Sequence, residues 1–363
     1  MNLSSKTIGR FIVLLLFWGC YDENETIGID ERCSEILIPD YYSEHIKAKE
    51  QSINEAIDFA KGDFASLLFF TDAHWGANYK NSPMLINHII HNTPINDVVF
   101  GGDVITTSFA VPKEAYELGM SFRSAFDTLD CNLYYLYGNH DNNSDCQPTA
   151  VNRHLSDEQV YDYLQSGMSV CDYGGFFNFF FDREKSKTRF ICLDTGRFYY
   201  SQFRGKTMDT IRFLTEALNE TPDSWRIVIL SHLWYNLDYE TPREPYMPNN
   251  IKTIVNVLDD YNANHRGVFA YNGETIEYDF SNASSKIVCC IGGHCHIDSI
   301  QYSDGNIPII ITTTDSTQTV NEEIAKGGTV EEQALSVFIF DYSNQALKMF
   351  RVGRGKDIVL PLI

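Results

Sequence analysis

Short apolar runs that end in polar residues recur five times along the chain. Each run is apolar on both faces and rich in β-branched or aromatic residues, which is typical of a strand covered on both sides. The runs are Ser66–Thr71, Asp97–Phe100, Asn132–Tyr137, Arg226–Leu230 and Lys286–Ile291. Because open α/β sheets bind ligands at the carboxyl ends of their strands, we expect the polar residues that follow these runs to converge.

Segments with the apolar period of a helix lie around and between these strands. They run from Glu44 to Lys61, Pro83 to His91, Lys113 to Leu129, Asp157 to Leu164, Thr207 to Asn219 and Ile251 to Tyr261. Further strands are predicted near the C-terminus at Ile309–Thr312, Ala334–Asp341 and Ala346–Val352, and we expect these three to close a second sheet. The alternation of strands and helices predicts an α/β fold.

The residues that follow the five strands are of the types that bind divalent metals through oxygen or nitrogen. The blocks are Asp72-Ala-His74, Gly102-Asp103, Gly138-Asn139-His140-Asp141, His232 and Gly293-His294-Cys295-His296. Any one block alone would be an ordinary turn or a structural histidine. It is the ordered set, each member at a strand end, that indicates a site.

Seven side chains in these blocks are candidate metal ligands. They are Asp72, His74, Asp103, Asn139, His232, His294 and His296. They are too many for one ion that keeps an open position, so they predict two divalent ions that share a carboxylate. Two such ions outweigh the charge of two carboxylates, so the site attracts phosphate and lowers the pKa of bound water. Nitrogen and oxygen donors without a thiolate leave Mn, Fe, Zn and Ni open.

The ordered motifs D-x-H, G-D, G-N-H-D, H and G-H-x-H resemble the signature of the calcineurin-like metallophosphoesterase superfamily. The resemblance extends over roughly residues 64–352. It implies an α/β fold in which a two-sheet β-sandwich is flanked by helices.

The resemblance also implies a role for each residue. Asp72, His74 and His296 would hold the first metal, and Asn139, His232 and His294 the second, with Asp103 bridging them. The implied catalytic residues are His140 and Asp141: His140 would contact the phosphate and protonate the leaving oxygen, while Asp141 holds its ring. A histidine beside a carboxylate is by itself a natural general acid.

These observations predict a dinuclear metal-dependent phosphoesterase. A metal-bridging hydroxide would attack a phosphate mono- or diester of a small molecule, with His140 as general acid. Within the family's range we favour a nucleotide or cyclic nucleotide. Aromatic residues in the loop from Trp234 to Asn250 could stack on a base, although we prefer that they pack the loop onto the domain. Arg197 could reach a phosphate or lie in an exposed turn.

Two alternatives stay open: a non-catalytic cell-surface binding module on the same fold, and a metal-dependent nuclease. The net charge is −21, from 28 basic and 49 acidic residues, and we see no basic cluster that could follow a nucleic-acid backbone. Nucleic acid is therefore a poor substrate, and a small phosphorylated molecule is the expected partner. The oligomeric state is not fixed by these residues.

The N-terminus has the composition of a signal segment. Lys6 and Arg10 precede an apolar run over Phe11–Trp18, which is followed by Gly19 and Cys20. Such a run extends about 12 Å as a helix, well short of the ~30 Å core of a bilayer, so it is not a transmembrane anchor. The Gly-Cys end resembles a bacterial lipoprotein signal in which Cys20 is lipidated. Ordinary secretory cleavage and a buried N-terminal strand are the alternatives.

The predicted organisation therefore has three parts. Residues 1–20 form a signal segment with a lipobox-like end, residues 21–61 an acidic tether and N-terminal helix, and residues 62–363 the metallophosphoesterase domain. The expected location is extracytoplasmic, in the periplasm or on the cell surface, with the membrane contacted through lipid on Cys20.

Cysteines outside the signal segment add one structural expectation. Cys131, Cys192, Cys289 and Cys290 lie in or beside predicted core strands and are expected to be packed there. Cys146 and Cys171 are the pair we would test first for a disulfide. Cys295, between two candidate ligands, is interpreted as packed rather than metal-binding.

Overall fold

A computed structural model of the protein describes most of the chain after residue 37. The described residues are 38–74, 81–105, 109–143, 153–168, 170–172, 177–196, 205–234, 248–271, 273–316 and 325–362. The predicted signal segment and tether lie outside them, as do Cys146, Arg197 and most of the aromatic loop.

Strands and helices alternate along the first two thirds of the chain. The strands are β1 Phe64–Phe70, β2 Asp97–Phe100, β3 Asn132–Tyr135, β4 Cys171–Asp172, β5 Phe179–Arg183, β6 Thr188–Leu193, β7 Arg226–Ser231, β8 Arg266–Tyr271, β9 Glu274–Asp279, β10 Lys286–Gly292, β11 Ser299–Tyr302, β12 Pro308–Ile311, β13 Ala334–Asp341, β14 Ala346–Gly353 and β15 Ile358–Pro361. The helices are α1 Ser43–Phe59, α2 Asn81–Asn92, α3 Pro112–Phe126, α4 Asp157–Leu164, α5 Gly205–Asn219 and α6 Pro248–Asn262. All six predicted helices are confirmed to within a few residues at each end.

Two mixed sheets contain all of these strands except the β8–β9 hairpin. The six-stranded sheet has the order β15-β14-β13-β1-β2-β3, and the seven-stranded sheet has the order β11-β12-β10-β7-β6-β5-β4. Within them β1, β2 and β3 are parallel neighbours, as are β6, β7, β10 and β12. The carboxyl ends of the parallel strands therefore meet at one edge of each sheet.

The three predicted C-terminal strands do not lie in the same sheet. β12 joins the seven-stranded sheet beside β10 and begins at Pro308. β13 instead pairs antiparallel with β1, and β14 pairs with β13, so both extend the six-stranded sheet. The expectation that all three close a second sheet together is wrong. An apolar run predicts a strand but does not identify the neighbour with which its hydrogen bonds form.

Alternate residues of each strand face two different apolar layers. In β1, Leu67 and Phe69 join the core between the sheets, together with Val228 and Ile291 of the seven-stranded sheet. Leu68 and Phe70 face the other way, toward a core that contains side chains of α1 to α4. A third core lies between the seven-stranded sheet and helices α5 and α6. The fold is thus the predicted two-sheet sandwich flanked by helices.

The compact unit that contains these layers spans Ile36–Ile363. Helix α1, which the sequence analysis placed before the domain, packs on the six-stranded sheet with Ile46 and Ile53 fully buried. In the part of the chain that the structure describes, no helix has the length and apolar character needed to cross a membrane.

Candidate metal centre

The polar blocks of the sequence lie just beyond the ends of five parallel strands, three in one sheet and two in the other. Asp72 and His74 follow β1, Asp103 follows β2, and Asn139 follows β3. On the facing sheet His232 follows β7 directly, and His294 and His296 follow β10. Residues more than two hundred positions apart thereby meet between the two sheets.

The first group consists of Asp72, His74 and His296, whose ligand atoms all lie within 4.8 Å of one another. His296 Nε2 is 3.1 Å from Asp72 Oδ1 and 3.1 Å from His74 Nε2. All three residues are buried. This is the set that the resemblance assigns to one metal.

The second group consists of Asp103, His232 and His294, whose ligand atoms also lie within 4.8 Å of one another. His232 Nε2 is 3.2 Å from Asp103 Oδ2 and 3.0 Å from Asn139 Oδ1, so the amide belongs to the same cluster. His232 Nε2 is also 4.0 Å from Asp72 Oδ1 of the first group. The two groups are therefore adjacent, as a pair of metal ions that share a ligand requires.

Hydrogen bonds on the outer side of two histidines fix which nitrogen faces the cluster. His74 Nδ1 lies 3.1 Å from the carbonyl oxygen of Ile105, and His232 Nδ1 lies 2.8 Å from that of Gly101. Each Nδ1–H donates outward, so Nε2 is the nitrogen that faces the cluster, as in metal-ligating histidines. Nitrogen and oxygen atoms that converge at about 3 Å need either a proton or a metal ion between them. The residues present thus fit two divalent cations held by nitrogen and oxygen donors.

Burial and neighbouring charges shift the pKa values of these groups. Burial and His232 lower the pKa of His294 to about 3. Burial also opposes the charge of His232, but the carboxylates of Asp103 and Asp72 outweigh it and raise the pKa to about 9. Despite burial, neighbouring histidines hold the pKa of both carboxyl groups below the usual range. Ionised carboxylates and a neutral His294 are already in the metal-binding form, whereas a metal ion must displace the proton of His232.

The backbone at most of the candidate ligands has a left-handed conformation. Positive φ angles occur at Asp72 (53°), His74 (40°), Asp103 (63°), His294 (69°) and His296 (57°). A residue with a Cβ atom rarely adopts this conformation, and it persists only where the surrounding structure enforces it. Because five candidate ligands have this conformation, we infer that the fold holds them at φ angles that the residues would not adopt on their own.

Two glycines of the motifs are required by close approach. A Cβ atom on Gly138 would lie 2.2 Å from both the backbone nitrogen and Oδ1 of Asp103. A Cβ atom on Gly293 would lie 2.3 Å from Thr71 Oγ1 and 2.4 Å from Asp72 Oδ2. The glycines thus allow the loops that carry the ligands to touch.

His140 lies at the edge of the cluster but is not among the ligands. Its backbone N–H donates to Asp103 Oδ1 at 2.8 Å, and its half-buried ring is 5.6 Å from the ring of His74, measured between centroids. Nδ1 is buried without a hydrogen-bond partner among the described residues. This placement beside the metal groups suits a residue that meets a bound phosphate.

Asp141 does not hold the ring of His140, so that part of the expectation is wrong. Its carboxylate instead accepts three backbone N–H groups, from Gly138 (2.7 Å), Asp103 (3.0 Å) and Val104 (2.8 Å). The side chain is fully buried and turned toward the backbone of its own loop and of the loop after β2. Burial and Asp103 raise the pKa of Asp141 to about 7. His140 and Asp141 are adjacent in the sequence, but their side chains point to different partners, which their adjacency alone could not reveal.

The structure also describes one aromatic residue and several cysteines that the sequence singled out. Trp234 is buried and its Nε1 donates to the carbonyl oxygen of Ile291 at 2.9 Å, so at this position the aromatic loop packs onto the domain. Cys295 packs against the core beneath α5 and α6 and belongs to neither metal-ligand group. Cys192, Cys289 and Cys290 are buried free thiols, as predicted, whereas Cys131 is only partly buried.

Thr71, the residue just before Asp72, was not among the candidate residues of the sequence. Its Oγ1 donates to Asp72 Oδ2 at 2.7 Å, and the backbone N–H of His294 donates to the same oxygen at 2.9 Å. These bonds leave Oδ1 of Asp72 facing His296. A hydroxyl residue at the end of a strand is a common feature, so nothing in the sequence indicated its bond to the carboxylate of a candidate ligand.

Comparison with known proteins assigns the chain to a family. The family model described as calcineurin-like phosphoesterase matches residues 65–298, which include all seven candidate ligands. No curated protein sequence matches the chain.

Several solved structures are similar to the chain at low sequence identity. A dimetal phosphatase from Danio rerio is 13% identical with a TM-score of 0.49, over 82% of this chain and 99% of that one. The protein TT1561 of Thermus thermophilus is 7% identical with a TM-score of 0.39, over 79% of this chain and 98% of that one. A 5'-nucleotidase from Candida albicans is 14% identical with a TM-score of 0.38, over 75% of this chain and 46% of that one.

Proposed function

The chain belongs to the calcineurin-like phosphoesterase family, and from that premise we propose that it is a two-metal phosphoesterase that hydrolyses phosphate mono- or diesters of small molecules. The observation that carries the proposal is the pair of adjacent ligand groups at the strand ends. Atoms of the two groups approach to 4.0 Å, between His232 Nε2 and Asp72 Oδ1. A structural metal site needs only one such group, whereas in-line displacement at phosphorus benefits from two.

In this proposal Asp72, His74 and His296 hold one ion, and Asn139, His232 and His294 hold the other. Asp103 would be the shared ligand, because its Oδ2 lies 3.2 Å from His232 Nε2 and its carbonyl oxygen accepts from the backbone N–H of His74 at 3.1 Å. When bound, the ions supply Lewis acidity that activates a water molecule and offsets the charge of the phosphoryl oxygens. Their chemical identity is left open by a donor set of imidazole, carboxylate and amide groups.

His140 is the residue we propose to protonate the leaving oxygen. Its Nδ1 is buried, so Nε2 is the ring nitrogen that would donate the proton toward the substrate. The bond from its backbone N–H to Asp103 Oδ1 ties its position to the proposed bridging carboxylate. Asp141 acts one step further away, by holding together the two loops that carry Asp103 and His140.

A small substrate is favoured over a polymer by charge. The net charge of −21 repels a polyanion over long distances, while a small phosphate is attracted by the local field of the ions. Nucleotides and cyclic nucleotides are the substrates we would test first.

The test is a hydrolysis assay with metal-loaded protein. Protein loaded with Mn²⁺, Zn²⁺ or Fe²⁺ is assayed against an aryl phosphate, a bis-aryl phosphate, nucleotides, cyclic nucleotides and single-stranded DNA. We expect turnover of at least one small ester and little of the DNA. Full metal occupancy without hydrolysis of any ester would instead favour the binding module, and preferential cleavage of DNA would favour the nuclease.

The proposed acid is tested by His140→Ala, with His265→Ala as a control on an exposed histidine that belongs to neither ligand group. We expect His140→Ala to lower kcat by about a hundredfold or more while both ions stay bound, as loss of a general acid does. Loss of the ions in this variant would show that the residue has a different role.

We further propose that the protein acts outside the cytoplasm, anchored by lipid on Cys20. Support comes from the basic residues, the short apolar run and the Gly-Cys pair of the N-terminal sequence. The variant Cys20→Ser should move the protein from the membrane fraction to the soluble fraction of its host cell. An unchanged membrane fraction would contradict lipidation at this residue.

A further inference from the structure

A run of four polar residues, Thr312–Asp315, follows β12 and lies directly behind the first group of ligands; we call it the threonine segment. Thr313 Oγ1 donates to the carbonyl oxygen of His296 at 2.8 Å. Thr314 Oγ1 donates to the carbonyl oxygen of Asp72 at 2.6 Å. Both threonines are fully buried, so these hydroxyls do not exchange their partners for solvent.

The two carbonyl groups belong to ligands with a left-handed backbone. The φ angle is 53° at Asp72 and 57° at His296. Left to themselves, residues with a Cβ atom prefer negative φ, and such a change would rotate the adjoining peptide planes and redirect the side chains. A hydrogen bond to the carbonyl oxygen of each ligand fixes the peptide plane on its C-terminal side. The threonine hydroxyls therefore oppose relaxation at the two positions.

The threonine segment is itself held on both sides. The backbone N–H of Asp315 donates to the carbonyl oxygen of Thr71, and that of Thr313 donates to Asp298 Oδ1 at 3.0 Å. The carboxylate of Asp315 accepts from Ser82 Oγ at 2.5 Å and from the backbone N–H of Ala334 at 2.8 Å. Because Ala334 begins β13 of the six-stranded sheet, the segment is fixed relative to both sheets.

We propose that Thr313 and Thr314 are positioning residues of the first metal site. They hold Asp72 and His296 in the conformation that binds the ion before the ion arrives. Neither hydroxyl contacts substrate or metal in this role; each acts through the backbone of a ligand. The inference rests on the two-metal site of the proposed function. It adds the two residues that hold the ligands of the first ion in their binding conformation.

The chain offers a matched set of variants. Thr313→Val and Thr314→Val remove a hydroxyl with little change in shape. Thr312→Val is the control, because Thr312 is equally buried in the same segment but its Oγ1 bonds the carbonyl oxygen of Gly292, which is not a ligand, at 3.2 Å. Thr314→Ser keeps the hydroxyl and should restore the behaviour of the original protein.

The measurement is calorimetric titration of Mn²⁺ into metal-stripped protein, with the melting temperature of the metal-free protein recorded for each variant. We expect the unsubstituted protein to bind two ions. In Thr313→Val and in Thr314→Val, the Kd of one ion should rise by about tenfold to a hundredfold. This is the typical effect of removing a hydrogen bond that orients a metal ligand. Thr312→Val and Thr314→Ser should bind both ions as the original protein does.

The titration distinguishes failure of the positioning role from failure of the proposed function. Two ions and phosphoesterase activity in the original protein, with unchanged Mn²⁺ affinity in both valine variants, would overturn the positioning role alone. Equal weakening of both ions in Thr314→Val and Thr312→Val, in step with the melting temperature, would also overturn it, because the effect would then be general destabilisation. Failure of the original protein to bind two ions would overturn both proposals.

Discussion

At the scale of single residues, the site depends on glycines that approach the candidate ligands too closely to carry a side chain. Gly138→Ala would place a methyl group 2.2 Å from Asp103 Oδ1 and must push the proposed bridging carboxylate away. We expect a loss of Mn²⁺ affinity of tenfold or more, which corresponds to about 1.4 kcal/mol of binding free energy. Titration of the metal-stripped protein measures it. Gly327→Ala, where a Cβ atom would meet nothing within 4 Å, is the control and should bind as before. Equal affinities for the two variants would contradict the close approach.

A second residue gives a dependence of stability on pH. Asp315 is fully buried; burial raises its pKa to about 6, although Ser82, the N–H of Ala334, Arg354 and Arg351 all act to lower it. The folded protein therefore holds this proton at pH values where the unfolded chain, with an ordinary aspartate pKa, has lost it. Stability falls as pH rises from about 4 through about 6, by about 3 kcal/mol in total.

Asp315→Asn removes that titration while keeping the shape of the side chain. We expect the variant to gain unfolding free energy over the original protein above pH 6, with the gain shrinking as pH falls toward 4. Urea denaturation of both metal-free proteins at pH 5.0 and 7.5 measures this. A gain that is the same at the two pH values would show that the charge of Asp315 has no such effect.

The candidate ligands could be named from the sequence, because a metal site needs specific side chains and each of these follows a predicted strand; the structure brings them together in two adjacent groups. The residues behind them could not be named in this way. Thr71, Thr313 and Thr314 act through one hydroxyl each, and hydroxyl residues at strand ends are common in any fold. Asp141 shows the same limit, since its position beside His140 suggested a contact that the fold gives to three backbone N–H groups instead.

At the scale of elements, Asp141 joins the loops that follow β2 and β3. In Asp141→Asn an amide N–H₂ would face one of the backbone N–H groups that the carboxylate now accepts. A buried donor without an acceptor costs about 1–3 kcal/mol, so we expect a loss of unfolding free energy in that range together with weaker binding of metal. Urea denaturation and Mn²⁺ titration measure the two effects, with Asp130→Asn as an exposed control.

The same variant distinguishes the backbone contacts of Asp141 from the contact with the His140 ring that the sequence suggested. If Asp141 oriented the ring of His140, Asp141→Asn would lower kcat and leave stability and metal affinity unchanged. That result would contradict the backbone role.

Elements with strong periodicity were predictable, and those without it were not. Helix α4 matches its predicted range, Asp157–Leu164, and it carries a capping box at Ser156 and Gln159. The β8–β9 hairpin was not predicted. Most of its residues are exposed or half-buried, so the sequence lacks the clear alternation of apolar and polar residues that marks a strand. The partner of β13 was not readable either, since its eight residues are all buried and would suit either sheet.

At the scale of the whole molecule, a partly buried ion pair connects the two sheets near the site. Arg351 of β14 is fully buried and its Nη2 donates to Asp298 Oδ1 at 2.6 Å, in the loop after β10. Arg351→Met would leave the carboxylate of Asp298 without its cation. Because Asp298 is one quarter exposed, we expect a loss of about 2 kcal/mol rather than the larger cost of a fully buried charge.

A double-mutant cycle measures this link. Asp298→Asn in the Arg351→Met background should recover part of the lost unfolding free energy, because the unpaired charge is gone. Arg212→Met, which removes an exposed arginine of α5, is the control and should change stability by no more than about 0.5 kcal/mol. Additive effects of Arg351→Met and Asp298→Asn would show that the two residues do not stabilise the fold as a pair.

In the proposed function, two ions at the strand ends are both needed for phosphoester hydrolysis. The direct measurement is the rate of aryl phosphate hydrolysis as Mn²⁺ is added to metal-stripped protein of known concentration. We predict negligible activity without the ion, a rise as Mn²⁺ is added, and a plateau at two equivalents per chain. A rate that does not depend on Mn²⁺, or a plateau at a single equivalent, would contradict the two-metal site.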